Sequence, residues 1–248
     1  MQNVTAAILA GGKGKRFRPY TEIIPKPLIP IGPEEKPLLE YIIKWLSNYG
    51  IRDIVLLVGY RWRQVSNYFN NGSKWGVRIK YSIDTEEYKN TGGALLNAWR
   101  QGLLCRNDLL IWYGDILAPL DVNDLLDKHY GWNADATIVV ADKYQVPVGV
   151  ARVNESGDII ELKEKPWIDI HATIGILMLK PRILDNVEEV LGKCFDIMGE
   201  LVPWMIKEGM KVKAYIYRGA WYDIGSLERY AKLDHNSIRE FIRSHDHK

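Results

Sequence analysis

Short runs of branched, apolar residues recur along this chain, and each breaks off at a glycine. Residues 4–10 run into Gly11, residues 53–58 into Gly59, and residues 109–113 into Gly114 and Asp115. Runs this short and this uniformly apolar read as strands buried on both faces. Segments of helical period lie between them. Leu38, Leu39, Ile42, Ile43 and Leu46 follow Pro37 and stop at Gly50. Residues 61–70 stop at Asn70-Asn71-Gly72, and residues 91–103 form a third helix after a strand at 77–83. Apolar strands alternating with helices predict an α/β fold built on a mixed, mainly parallel sheet with helices on both faces. Ligands of such sheets bind beyond the carboxyl ends of the strands. The Gly11 loop, Gly59, residues 84–90 and Gly114-Asp115 are therefore the first places to look for chemistry.

The second half is richer in strands. Residues 136–141, 148–153, 158–162, 173–179 and 212–217 have strand character, and Asn154-Glu155-Ser156-Gly157-Asp158 supplies a hairpin turn. A helix is expected over 197–208 and another from Ser226. Nothing between the halves has linker composition, so the expectation is one domain over 1–235 followed by a polar tail at 236–248.

Composition excludes several classes. The 248 residues carry 33 Lys plus Arg against 31 Asp plus Glu, a formal charge of +2, which argues against a nucleic-acid partner. The apolar runs are too short to span a bilayer, and no signal-peptide pattern precedes the first strand. Cys105 and Cys194 form no metal-ligand spacing and read as reduced thiols of a cytoplasmic protein. The five histidines read as surface or solvated residues.

The loop after the first strand concentrates charge. Glycines 11, 12 and 14 allow main-chain N–H groups to approach a ligand, and Lys13, Lys15, Arg16, Arg18 and Lys26 add five cations. A polyphosphate site and a solvated basic loop both fit that composition. Two familiar phosphate loops do not. Gly14-Lys15 is followed by Arg16, where a P-loop needs Ser or Thr. Phe17 stands where a dinucleotide fingerprint needs a small residue, and a Pro-rich loop follows in place of a helix.

Ala10-Gly11-Gly12-x-Gly14-x-Arg16, followed by Pro19, Thr21 and Pro25-Lys26-Pro27-Leu28, resembles the signature of the sugar-phosphate nucleotidyltransferases, also called NDP-sugar pyrophosphorylases. The resemblance runs from Val4 to about Leu233. It implies a Rossmann-like fold of the nucleotide-diphospho-sugar transferase type. It also implies transfer of a nucleotidyl group from an NTP to a sugar 1-phosphate, with pyrophosphate released. Leu9, Gly11, Gly12, Lys13, Gly14 and Gly93 would bind the nucleotide, with Gly93 matching the second glycine of a Gly-Thr-Ala-Gly-type segment at a helix N-terminus. Arg16 and Lys26 would stabilise charge on the reacting phosphates. Asp115, in the family's Gly-Asp motif, and Asp223, in Trp221-Tyr222-Asp223-Ile224-Gly225, would be catalytic and hold Mg²⁺. Gly149, Glu164, Lys165 and Gly175 would bind the sugar phosphate.

Here Asn90, Tyr88 and Val148 replace the Gly, Pro and Tyr of many members. The Thr-Gly-Gly-Ala segment and the compact length look similar to mannose- and heptose-phosphate guanylyltransferases, with glucose-1-phosphate thymidylyl- or uridylyltransferases close behind. A non-catalytic relative that binds sugar nucleotides would usually have lost charged site residues. A glycosyltransferase would normally carry an Asp-x-Asp motif, absent around Asp115. The length leaves no room for the C-terminal β-helix of some members, and members often form homo-oligomers.

Overall fold

The computed structural model describes residues 4–104, 107–234 and 238. Fourteen elements organise it. β1 (Val4–Leu9) leads through a long loop to α1 (Leu38–Asn48), then β2 (Asp53–Val58), α2 (Trp62–Phe69), β3 (Arg78–Ile83), α3 (Asn90–Arg100) and β4 (Asp108–Tyr113). Next come α4 (Val122–Gly131), β5 (Ala136–Gln145), β6 (Trp167–Leu179), α5 (Ile183–Leu191), α6 (Val202–Lys207), β7 (Val212–Tyr217) and α7 (Leu227–Ala231). The strands form one seven-stranded sheet in the order β7-β5-β6-β4-β1-β2-β3. Six strands run parallel to a neighbour, and β6 is antiparallel to both β4 and β5. The mainly parallel α/β architecture agrees with the pattern of apolar runs, and both halves share one sheet.

Alternate residues of the central strands feed two cores. Ala6, Ile8, Ile54, Leu56, Leu110 and Trp112 pack with residues of α1, α2 and α4. Ala7, Val55, Leu57, Leu109 and Ile111 face the other way, onto α3, α5 and α6. Both faces are therefore covered, as parallel strands require. Ile238 is buried in the first core, so packing continues past residue 235; the remainder of the expected polar tail lies outside the described residues, as do Cys105, His235, His245 and His247.

Several elements differ from expectation. α4 carries its own start signal: Asp121 Oδ1 accepts from Asp124 N at 3.1 Å, and Val122, Leu125, Leu126 and His129 form the buried stripe. His129 is thus fully buried, contrary to the surface role expected for it, with Nδ1 2.7 Å from Thr137 Oγ1. His171 is exposed as expected. The helix expected over 197–208 opens with a π-helical turn at Ile197–Leu201 before α6. β6 is thirteen residues long; its first half leaves the core and joins a lobe that also holds the hairpin Val150–Val153 and Ile159–Lys163.

Candidate active site

Leu9, Leu57 and Tyr113 are lateral neighbours at the carboxyl ends of β1, β2 and β4. With Ala94 of α3 they line a cavity of about 670 Å³, rimmed by Gly11, Gly12, Lys13, Lys26, Gly114 and Asp115 on one side and by residues 84–86 and 88–91 on the other. The cavity lies where the strand pattern placed it.

The glycines of the first loop do different work. A Cβ on Gly11 would lie 2.3 Å from Asp84 Oδ2, and one on Gly59 would lie 2.2 Å from the same atom. The two glycines thus make the seat in which the Asp84 carboxylate rests at the end of β3. Gly12 is exposed and nothing described crowds it. Gly14 takes a left-handed φ of 58° and turns the chain, its carbonyl accepting from Phe17 N at 2.8 Å and Thr21 Oγ1 at 2.9 Å. It folds the loop without lining the cavity.

Lys26 follows on a short 3-10 turn. Its Nζ donates to Asp115 Oδ2 at 2.6 Å and lies 5.7 Å from the centre of the buried Phe17 ring. Burial pushes the Lys26 ammonium below its usual range; Asp115 opposes this, while Arg16 and Arg229 push the same way as burial. That electrostatic coupling brings three cations to one place.

Asp223 arrives from the other end of the chain. Tyr222–Asp223 pairs antiparallel with Ile116–Leu117, Asp223 opposite Ile116, and Ile224 N donates to Asp115 O at 2.9 Å. The two aspartates are therefore brought to adjacent backbone positions. Asp223 Oδ2 forms an ion pair with Arg229 of α7, and Asp223 Oδ1 is buried without a hydrogen-bond partner. Arg16 comes beside it: a Cβ on Gly225 would sit 2.5 Å from Asp223 Oδ1 and 3.2 Å from Arg16 Nη2. An orphaned buried carboxylate oxygen, on a backbone position adjacent to that of Asp115, fits a hard divalent cation that completes its shell with phosphate oxygens and water. No group of three or more His, Cys, Asp or Glu side chains gathers as a metal site among the described residues.

The remaining expected residues divide. Gly149, Glu164 and Lys165 come together on the lobe, Glu164 Oε1 lying 3.4 Å from Lys165 Nζ and Glu164 Oε2 3.1 Å from a Cβ built on Gly149. The Glu228 carboxyl of α7 is held below its ordinary value first by a hydrogen bond from Lys232 and also by the charge of Lys165. Gly175, φ 77°, is filled from the other side: a Cβ there would meet the Tyr113 ring at 2.9 Å.

Gly93 lies away from the cavity. A Cβ on it would meet Lys193 O at 2.4 Å, and one on Gly92 would strike the Phe195 ring at 2.1 Å. The N–H groups of both glycines donate to Phe195 O, at 2.9 and 3.3 Å. The glycines and the opening N–H groups of α3 are thus used by the 193–195 segment. Thr91 ties the same segment down, donating to Asp196 Oδ2 at 2.7 Å and accepting from Ile197 N at 2.9 Å. The sequence assigns no role to Asp84, Tyr113 or Arg229, although residues 84–90 are among the places it marks for chemistry and Tyr113 ends the apolar run at 109–113.

Comparison with known proteins fixes the family. The family model described as Nucleotidyl transferase matches residues 5–239. This chain belongs to the nucleotidyl transferase family. Among similar members, a UTP–glucose-1-phosphate uridylyltransferase of Synechocystis sp. is 29% identical over 240 residues, covering 91% of this chain and 61% of that protein. This chain thus spans about three-fifths of that relative. A D-glycero-alpha-D-manno-heptose 1-phosphate guanylyltransferase of Aneurinibacillus thermoaerophilus is 33% identical over 162 residues, covering 65% of this chain and 68% of that protein. The fold is shared with HddC from Yersinia pseudotuberculosis, at a TM-score of 0.72 and 22% identity, over 94% of this chain and 99% of that one. No helix among the described residues is long and apolar enough to cross a membrane.

Proposed function

We propose that this family member transfers a nucleotidyl group from a nucleoside triphosphate to a sugar 1-phosphate, and that the base is guanine. The observation that carries the reaction is the convergence of Asp115 and Asp223 with Arg16, Lys26 and Arg229 beside a cavity rimmed by a glycine loop. A phosphate oxygen of the sugar phosphate attacks the α-phosphorus, the bond to the β-phosphate bridging oxygen breaks, and pyrophosphate leaves. The second pKa of a phosphomonoester is about 6, so the nucleophile is already anionic at pH 7 and needs no general base. What the chain must supply is countercharge for two anionic substrates and for the transition state.

Lys26, on the rim of the cavity, would meet the phosphates, Arg16 beside Asp223 would add countercharge, and Gly11 and Gly12 would let backbone reach the triphosphate. Lys165, on the lobe, would meet the sugar phosphate. Asp115 and Asp223 would hold Mg²⁺, which when bound adds positive charge on the phosphate oxygens.

The choice of base rests on Asp84. Its carboxylate lines the cavity, and desolvation pushes its pKa up with no hydrogen bond or opposite charge to lower it. Guanine offers two parallel donors, N1–H and the 2-amino group, which one carboxylate accepts together. Uracil and thymine offer a single N–H flanked by two carbonyl oxygens that a carboxylate repels, and adenine presents an acceptor at N1. This favours a guanylyltransferase of the kind seen in the heptose-phosphate relative over the uridylyl type of the Synechocystis relative. A pyrophosphate-release screen of GTP, UTP, dTTP, ATP and CTP against mannose, heptose and glucose 1-phosphates tests both halves. GTP should be preferred by at least about tenfold, a margin that Asp84→Ala removes. No release with any pair would overturn the reaction, and an unchanged preference in Asp84→Ala would overturn the role of Asp84.

A further inference from the structure

Each of the two carboxylates proposed above to hold Mg²⁺ is paired with a cation of the chain itself. Lys26 holds Asp115 Oδ2, and Arg229 holds Asp223 Oδ2. The two cations differ in freedom. The Lys26 side chain is 14% exposed, and its ammonium could leave Asp115 only at the expense of a buried, unpaired charge. The Arg229 side chain is 41% exposed and stands at the surface, so it can leave Asp223 for water. Its backbone stays in place meanwhile. Ser226 Oγ accepts from Arg229 N, Tyr230 Oη donates to Pro30 O at 2.8 Å, and the Tyr230 ring packs edge-on against Phe17.

We propose that Arg229 is a latch on the metal site: it neutralises Asp223 in the metal-free protein and is displaced from it when a divalent cation binds. The proposal rests on the metal-assisted transfer argued above. A cation approaching Asp223 Oδ1 passes Arg16 and meets a second guanidinium, that of Arg229, on the other oxygen of the same carboxylate, and like charges this close oppose one another strongly. Arg229 therefore weakens metal binding until substrate phosphates are present to receive the guanidinium. It acts as a positioning residue, through Asp223.

Mn²⁺ titration of the full-length, nucleotide-free protein, read by the electron paramagnetic resonance of free Mn²⁺, tests this. Arg229→Ala should tighten Mn²⁺ binding at least about tenfold, and Arg229→Gln, which keeps the stem of the side chain, should do the same. Arg229→Lys should restore the weaker binding. Adding Asp223→Asn to Arg229→Ala should abolish the gain. Unchanged or weaker Mn²⁺ binding in both Arg229→Ala and Arg229→Gln would overturn the latch, as would a gain that survives Asp223→Asn. The pyrophosphate-release screen of the unmodified protein separates the two readings, since the Mn²⁺ titration requires no turnover.

Discussion

Lys26 donates to Asp115 across 89 residues of sequence, joining the loop after β1 to the end of β4 at 2.6 Å. The pair keeps a cation and a carboxylate in register at the mouth of the cavity before any substrate arrives. Each partner is partly buried, so loss of one would leave the charge of the other unpaired there. Lys26→Met keeps the length and the contact with Phe17 while deleting the charge. Turnover should fall at least about tenfold, in line with loss of one preorganised electrostatic contact. The melting temperature should fall as well, because the partly buried Asp115 loses its partner, so turnover is compared well below it. Turnover within twofold of the parent would remove Lys26 from the reaction.

Gly92 tests the docking of α3. An alanine there would raise helix propensity in isolation, by about 1 kcal/mol. The new methyl would instead strike the Phe195 ring at 2.1 Å and lie 2.8 Å from Phe195 O. Backbone cannot yield as a flexible side chain does, so Gly92→Ala should destabilise the protein by roughly 1–3 kcal/mol. Urea denaturation measures it, and a stabilised variant would contradict the packing described.

His129 gives stability a pH dependence. Burial pushes its imidazole below the ordinary value, mainly by desolvation. Its Nε2 is buried without a partner, so the protonated form has nowhere to place the second N–H. Between the folded and unfolded pKa values the unfolded chain binds more protons. Stability is then complete above pH 6.5 and declines as pH falls toward the folded pKa, by up to about 1.4 kcal/mol per pH unit. Denaturation midpoints of the parent and His129→Gln at pH 8 and pH 5.5 isolate this contribution. The parent should lose more stability between the two pH values than the variant.

Tyr113 carries a buried hydroxyl that closes no hydrogen bond of normal geometry, although Thr91 lies near enough to offset part of the burial that pushes its pKa up to about 12. Tyr113→Phe deletes the unpaired group and keeps the ring against Gly175. The substitution should stabilise the protein by roughly 1 kcal/mol. A lower melting temperature would show that the hydroxyl has a partner after all.

What could be read from the chain divides along physical lines. The central strands were legible because burial on both faces demands unbroken apolar runs. Glycines 11 and 12 and Asp115 were legible because they follow such strands directly. The first half of β6 was not: Trp167, Ile170 and His171 are exposed, so no face imposes a pattern on them. α4 hid because the fourth residue of its buried stripe is His129. The packing of Gly92 and Gly93 depends on Lys193 and Phe195, a hundred residues away. Arg229 has no local signature either, since what gives it meaning is the carboxylate it touches.

The long central strand has a mechanical consequence. Residues 176–179 of β6 are bonded into the middle of the sheet, while its opening residues belong to the lobe that carries Glu164 and Lys165. Pairing with β5 is interrupted between Asp169 and Ala172 and again between Thr173 and Leu177. The lobe is therefore no separate jaw on a flexible tether. It is the free arm of a lever whose fixed arm is clamped in the core, with its fulcrum at the interrupted stretch where Gly175 rests on Tyr113. Tilting that arm would press on the tyrosine that floors the cavity, so a load on the lobe is felt at the carboxyl ends of the parallel strands.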